Sequence, residues 1–249
     1  MLSKQELKFY RSLHQKKYRN LHQLFVAETP KVVFDLLISN KFRLHKLLGL
    51  ENFFVQQAET LEKYEKFIQF IQKNELKSIS ALQSPNSLLA IFSQIENVWD
   101  KDTDNFNFAL YLDNIRDPGN LGTIIRTAVW FGHKVLFLSP ECADIYNPKV
   151  VQASMGNLGF VKIIRTEIAD ILQNIPNVNI FVADMHGISL VDCVFPSPSL
   201  LVMGNEANGT AVMKDATNFP KVTIPAYGKA ESLNVSIAAA IFSYHQKLK

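Results

Sequence analysis

Leu200-Leu201-Val202-Met203-Gly204-Asn205-Glu206-Ala207-Asn208-Gly209, followed downstream by Ile224-Pro225-Ala226-Tyr227-Gly228-Lys229-Ala230-Glu231-Ser232-Leu233-Asn234-Val235-Ser236-Ile237-Ala238, decides the reading of this chain. Each run passes from apolar residues that read as a buried strand into a turn dense in Gly, Asn, Ser and Glu. The second continues into an Ala-rich helix. Polar groups at strand ends are where α/β proteins hold ligands. A third run has the same form: Leu112-Asp113-Asn114-Ile115-Arg116-Asp117-Pro118-Gly119-Asn120-Leu121-Gly122-Thr123-Ile124-Ile125-Arg126-Thr127-Ala128-Val129-Trp130-Phe131-Gly132. There Gly119 and Gly122 permit a tight strand-to-helix entry, Asn120 can cap the helix, and Arg126 lies on its exposed face.

Outward from these runs the pattern alternates strand and helix. Strands are predicted at Phe108 to Leu112, Val135 to Leu138, Phe160 to Ile164, Ile180 to Ala183, Leu200 to Met203 and Val222 to Ile224. Helices are predicted from about Asn120 to Phe131, ended by Gly132, and near Pro148 to Met155, Glu167 to Gln173 and Ala211 to Ala216. The expected result is a mostly parallel α/β sheet closed by a terminal helix from Val235 to Lys247. Upstream, residues 4 to 19 have helical spacing, Leu24 to Glu28 and Leu88 to Phe92 read as strands, and Pro30 opens a helix to Ser39. Asn52 to Val55 and Lys77 to Ser80 read as β-like, on either side of a charged helix from Leu61 to Ile71. A polar stretch from 96 to 105 has linker composition, which divides the chain into a small α/β domain over 1–95 and a larger one over 106–249.

Composition narrows the function. With 47% hydrophobic and 20% charged residues the chain is a folded protein, and no apolar run reaches the roughly 20 residues of a bilayer span. The amino terminus shows no signal-peptide block, so a cytoplasmic location is the expectation. Cys142 and Cys193 lack metal or disulfide spacing and read as packing residues. Net charge is +3, yet residues 1–50 carry ten basic side chains against three acidic ones, leaving the remainder at −4. That asymmetry points to a polyanion partner for the first segment, with a solvated basic face as the plainer reading. GxGxxG, a complete P-loop, HExxH and GxSxG are all absent.

Taken singly, the polar residues have ordinary readings too. Arg126 pairs with a neighbouring acid, Glu206 is a solvated turn residue, and Asn120, Ser232 and Asn234 are helix caps. Together they resemble something definite. Asn120 to Ala128 with Phe131-Gly132, then Met203 to Gly209, then Ile224-Pro225 with Ser232 to Ser236 are similar to the three motifs of the SpoU (TrmH-like) branch of the SPOUT RNA methyltransferases, in the right order over much of the larger domain. The amino-terminal region is similar to the substrate-binding domain, related to a ribosomal-protein fold, that often precedes it. The chain has Glu28-Thr29 where many relatives carry Glu-Gly, and Ala207 where glycine is common.

The resemblance implies a carboxy-terminal trefoil knot holding S-adenosylmethionine, a homodimer, and transfer of a methyl group to a ribose 2′-hydroxyl. Ribosomal RNA is the preferred substrate and transfer RNA the alternative; a noncatalytic RNA-binding factor that keeps the fold is the rival. It implies cofactor contacts at Gly204, Ile224 and Leu233, with Met203 and Ala226 adjacent, and a catalytic set of Arg126, Asn120, Glu206, Ser232 and Asn234. A guanidinium holds its proton too tightly to be a good base, so a phosphate clamp that stabilises a developing oxyanion is the cheaper role for Arg126. No metal is needed, since a sulfonium is already activated. Lys16, Lys17, Arg19 and Arg116 are the expected RNA contacts.

Overall fold

Two sheets form where the sequence concentrates its apolar runs, in a computed structural model that describes residues 1–85, 87–100, 105–204 and 219–249. The described chain groups into two units, Met1–Glu96 with Asp144–Gly159, and Asn97–Ala143 with Phe160–Lys249. The grouping is not linear, because Asp144–Gly159 lies within the 106–249 stretch yet packs with the amino-terminal residues.

The first unit opens with α1 (Lys4–Ser12) and α2 (Lys16–His22), where the spacing over 4–19 predicts a single helix. Ser3 and Glu6 start α1 as a capping box, each side chain accepting the other's backbone N–H. The break after α1 has a physical cause. The Leu13, His14 and Gln15 N–H groups close its end in tight turns onto the Tyr10, Arg11 and Ser12 carbonyls, and the Arg19 guanidinium folds back to take the next two carbonyls, of Leu13 and His14, at 3.1 and 2.8 Å. A four-stranded sheet follows in the order β1-β4-β2-β3, made of β1 (Leu24–Glu28), β2 (Leu44–Gly49), β3 (Ile68–Phe70) and β4 (Leu88–Ser93). β4 runs antiparallel to β1 and β2, and β3 is parallel to β2.

The helices of this unit are α3 (Pro30–Ser39), α4 (Glu51–Gln56), α5 (Ala58–Leu61) and α6 (Lys73–Ile79). Here the sequence expectations need correction. Asn52 to Val55 lies in α4, with Phe54 buried and Val55 exposed, because so short an apolar run has no period to separate helix from strand. Lys77 to Ser80 is the end of α6, which Gln72 and Glu75 start as a second capping box. The expected 61–71 helix is a 3-10 turn over Glu62–Phe67 leading into β3.

In the second unit the strands are β5 (Phe108–Leu112), β6 (Val135–Leu138), β7 (Lys162–Arg165), β8 (Asn179–Ser189), β9 (Ser199–Met203) and β10 (Lys221–Thr223). They lie in the order β10-β8-β9-β5-β6-β7, and every neighbouring pair is parallel. β5, β6 and β9 are buried along their whole length, as a parallel sheet covered on both faces requires. From here the helices in chain order are α7 (Pro118–Trp130), α8 (Pro148–Ala153, packed in the first unit), α9 (Ile168–Asn174) and α10 (Val235–Leu248). α7 begins earlier than expected, with Pro118 at its first position and Asp117, not Asn120, as the cap that accepts the Asn120 N–H at 2.8 Å. Gly132 follows its end at φ +68, a conformation that suits glycine. The helix expected near Ala211 to Ala216 lies outside the described residues. Among the described residues no helix is long and apolar enough to cross a membrane.

Candidate functional site

Parallel strands bring their carboxyl ends to one edge, and the loops that leave that edge build the site. β5 and β9 are in register with Leu112 beside Met203, and the Asp113 N–H donates to the Met203 carbonyl at 2.8 Å. β8 pairs Val182 with Val202 of β9 and then runs on to Ser189 beside β10. Gly187 permits that close approach: a Cβ there would lie 2.4 Å from the Lys221 carbonyl oxygen.

Between these ends opens a cavity of about 810 Å³. Met203 and Gly204 line it from the end of β9, and Ile224, Pro225 and Ala226 from the chain leaving β10. Ser232 and Leu233 line it just before α10, whose Val235, Ala238 and Phe242 close its apolar side. The extension of β8 supplies Ala183 to His186. Two carboxylates, Asp184 and Glu231, belong to this wall. Burial works against the charge of Asp184, but Lys221 at 2.8 Å and the His186 N–H at 3.0 Å outweigh it and hold the carboxyl below the usual carboxylate range.

All five residues expected to meet a cofactor, Met203, Gly204, Ile224, Ala226 and Leu233, are in the cavity wall. The expected catalytic set is more scattered. Ser232 is in the wall. Asn234 caps α10 by accepting the Ser236 N–H at 2.9 Å, and its amide donates to Asn120 Oδ1 at 2.9 Å, which joins the start of α7 to the start of α10. Arg126 is exposed on α7 and absent from the cavity wall, and its side chain makes no hydrogen bond or ion pair with another described residue. Glu206 lies outside the described residues.

Of the expected RNA contacts, Lys16 and Lys17 are exposed on α2, and exposed Arg116 donates from Nε to Asn114 Oδ1 at 2.7 Å. Arg19 is a correction. Only 2% exposed, it donates from Nε and Nη2 to Asp144 Oδ2 at 3.2 and 2.6 Å, so its charge is committed to the interior of the first unit.

The loop after β6 supports the approach to α7. Arg165 Nη1 donates to the carbonyls of Ser139, Pro140 and Cys142, and Nη2 to that of Ala143, all within 3.1 Å. The same loop holds the Asn114 N–H through Ser139 Oγ and the Ile115 N–H through Cys142 Sγ. Burial pushes the Cys142 thiol up, which leaves it a neutral donor to the Leu112 carbonyl.

Sequence reasoning ended β8 at Ala183 and so missed the Asp184 to His186 wall. The alternation Ala183-Asp184-Met185-His186 was the available signal, a period of two continuing past the apolar run. Among the described residues no group of three or more His, Cys, Asp or Glu side chains is placed to hold a metal ion.

A parallel α/β sheet with a largely apolar cleft at its carboxyl edge, bordered by a few carboxylates and open backbone, defines a domain of the nucleotide-ligand-binding class. Comparison with known proteins makes this specific. Residues 107–244 match the SpoU rRNA Methylase family, so the chain belongs to that family, and residues 4–90 match the MRM3-like substrate binding domain. The 23S rRNA (guanosine(2553)-2'-O)-methyltransferase RlmP of Bacillus subtilis (strain 168) is 27% identical over 246 residues, 97% of this chain and 95% of the relative. A TrmH-family structure from Porphyromonas gingivalis is 34% identical, covering 99% of this chain and 98% of its own, with a TM-score of 0.81. The AdoMet-bound rRNA methyltransferase from Sinorhizobium meliloti is 27% identical, covering 100% and 96%, with a TM-score of 0.87.

Proposed function

We propose that this chain transfers a methyl group from S-adenosylmethionine to a ribose 2′-hydroxyl of structured RNA, with ribosomal RNA as the first candidate. The observation that carries the reading is the cavity at the carboxyl edge of the sheet, walled by Met203, Gly204, Ile224, Ala226 and Leu233. The residues suit this cofactor. Apolar side chains flank a flat ring, the irregular chain from Ile224 to Asn234 offers backbone donors and acceptors, and Asp184 and Glu231 offset positive charge. When bound, the cofactor supplies a methyl group already activated on a sulfonium.

The chain's own task is to bring a weak nucleophile into line and stabilise the charge that grows on it. Arg126 grips the phosphate next to the target ribose. Asn120 and Asn234, already bonded to each other, orient the sugar with Ser232, and Glu206 steadies Arg126. In this reading a second copy completes the site, bringing its Arg126 to the cavity of its partner. Trp130, 83% exposed on α7, and Ile237 and Tyr244 on the α10 packed against it give that copy an apolar face to cover. Residues 1–95 grip RNA, with Lys16 and Lys17 on phosphates and Arg116 adding a contact from the second unit, 96–105 link, and 106–249 carry catalysis with a trefoil-knotted carboxyl end. The match to a substrate-binding domain supports the first assignment, and the rRNA-modifying relative supports work in the cytoplasm.

The test is transfer of radiolabel from S-adenosylmethionine to unmodified total RNA, with the label located on ribose or base and on ribosomal or transfer RNA. Arg126→Ala is expected to lose about 100-fold or more of turnover while binding the cofactor normally by calorimetry. Label on a base, or near-normal turnover by the variant, defeats the reading. A noncatalytic factor of the same fold would bind no cofactor.

A further inference from the structure

Tyr227 stands in the cavity wall and is 95% exposed, an unusual combination for an aromatic ring. Among the described residues its ring meets no other ring and its hydroxyl has no partner. Pro225 stiffens the chain on one side, and on the other a Cβ placed on Gly228 would meet nothing within 4 Å, so the loop next to the ring is uncrowded, and the ring itself is open to solvent. Lys229, two residues on, is exposed and brings a positive charge to the same loop.

We infer that Tyr227 is the platform on which the base of the target nucleotide stacks. This rests on the ribose-methylation reading. A sugar that must reach the loops at a sheet edge cannot keep its base fully stacked in an RNA helix, and the stacking lost on leaving the helix is restored by an aromatic face. Tyrosine does this with few rotatable bonds, and its indifference to base identity leaves sequence choice to other contacts. The substrate class follows: the methylated nucleotide is one whose base is unpaired or everted, in a loop, bulge or junction. Tyr227 is thus a positioning residue for the ribose, with Lys229 drawing in the adjacent phosphate.

The experiment uses the full-length protein, unmodified 23S rRNA transcribed in vitro and radiolabelled S-adenosylmethionine, with wild type, Tyr227→Ala, Tyr227→Phe and Tyr227→Trp. The alanine variant is expected to raise KM for RNA roughly 10- to 100-fold with little change in kcat and no change in cofactor affinity; phenylalanine and tryptophan restore KM. A wild-type KM for Tyr227→Ala overturns the inference. So does loss of cofactor affinity, which would make the ring part of the cofactor wall, and so does a phenylalanine variant as impaired as alanine, which would make the hydroxyl the acting group. Ribose label from the wild type in any of these outcomes leaves the methylation reading standing; no ribose label from the wild type removes both.

Discussion

Thr29 occupies φ +73 and ψ 142, a region that residues with a Cβ rarely enter, between a buried Glu28 and the first turn of α3. Its neighbours hold it there. The Glu28 carboxylate accepts the Ser80 hydroxyl and the Ala81 N–H at 2.8 Å, and the Thr29 N–H donates to the Leu88 carbonyl at 3.3 Å. Removing the side chain therefore relieves strain without removing a bond. Thr29→Gly is expected to stabilise the protein by about 1 kcal/mol, the relief of strain exceeding the added freedom of the unfolded chain. Thr29→Ala, which keeps the Cβ, should gain little. Denaturant midpoints of the two variants check this, and a glycine variant no more stable than the alanine one would show that the backbone there is relaxed. The sequence displays the departure from Glu-Gly at this turn but not the strain, which is a property of torsion angles. Arg19 is similar: its charge is legible, its partner is not, because Asp144 is 125 positions away.

β8 and β10 meet at the wall of the cavity, and Gly187 is what lets them. Gly187→Ala forces the new methyl against the Lys221 carbonyl, within 2.4 Å of its oxygen and 2.5 Å of its carbon, and backbone cannot swing aside as a side chain can. The expected cost is about 2 kcal/mol, together with weaker cofactor binding, because β10 leads directly into Ile224 to Ala226. Thermal unfolding and calorimetry read the two effects, and a variant matching wild type in both would show that the strands can separate freely. The central strands were readable because they are continuous apolar runs bounded by turns, as at Phe108–Leu112 and Ser199–Met203. β2 was not, since Lys46 and exposed His45 interrupt its pattern, and the helical fate of Asn52 to Val55 depends on which phenylalanine finds the core. The loops from 203 to 204 and 224 to 234 were reached through their turn chemistry and their likeness to a family's motifs. Asp184 to His186 belong to no such motif and needed the strand's true length.

The segment Asp144–Gly159 ties the second half of the sequence into the first unit. Asp144 receives the buried Arg19, Tyr146 places its ring 4.8 Å from Phe25 and 6.2 Å from Phe42, and its hydroxyl donates to the Ile95 carbonyl at 2.9 Å. Burial pushes that hydroxyl's pKa up to about 12, so it remains a neutral donor. Gly156, at φ +82, lies so close to α3 that a Cβ would come within 2.6 Å of Asp35 Cβ. Asp144→Ala leaves a buried guanidinium without its counter-charge and should cost about 3 kcal/mol. Hydrogen exchange is expected to quicken first in α2 and β1, although the substitution falls within the stretch that matches the methylase family. Faster exchange confined to the six-stranded sheet would refute that assignment.

During synthesis the amino-terminal unit emerges from the ribosome long before the residues that finish it. Until Tyr146 has cleared the exit tunnel, the Phe25 and Phe42 rings lack their tyrosine and Arg19 lacks its anion, Asp144. A recombinant fragment cut at the apparent linker would carry that deficiency permanently, and the excised remainder would keep a detached sixteen-residue limb with nothing to clasp.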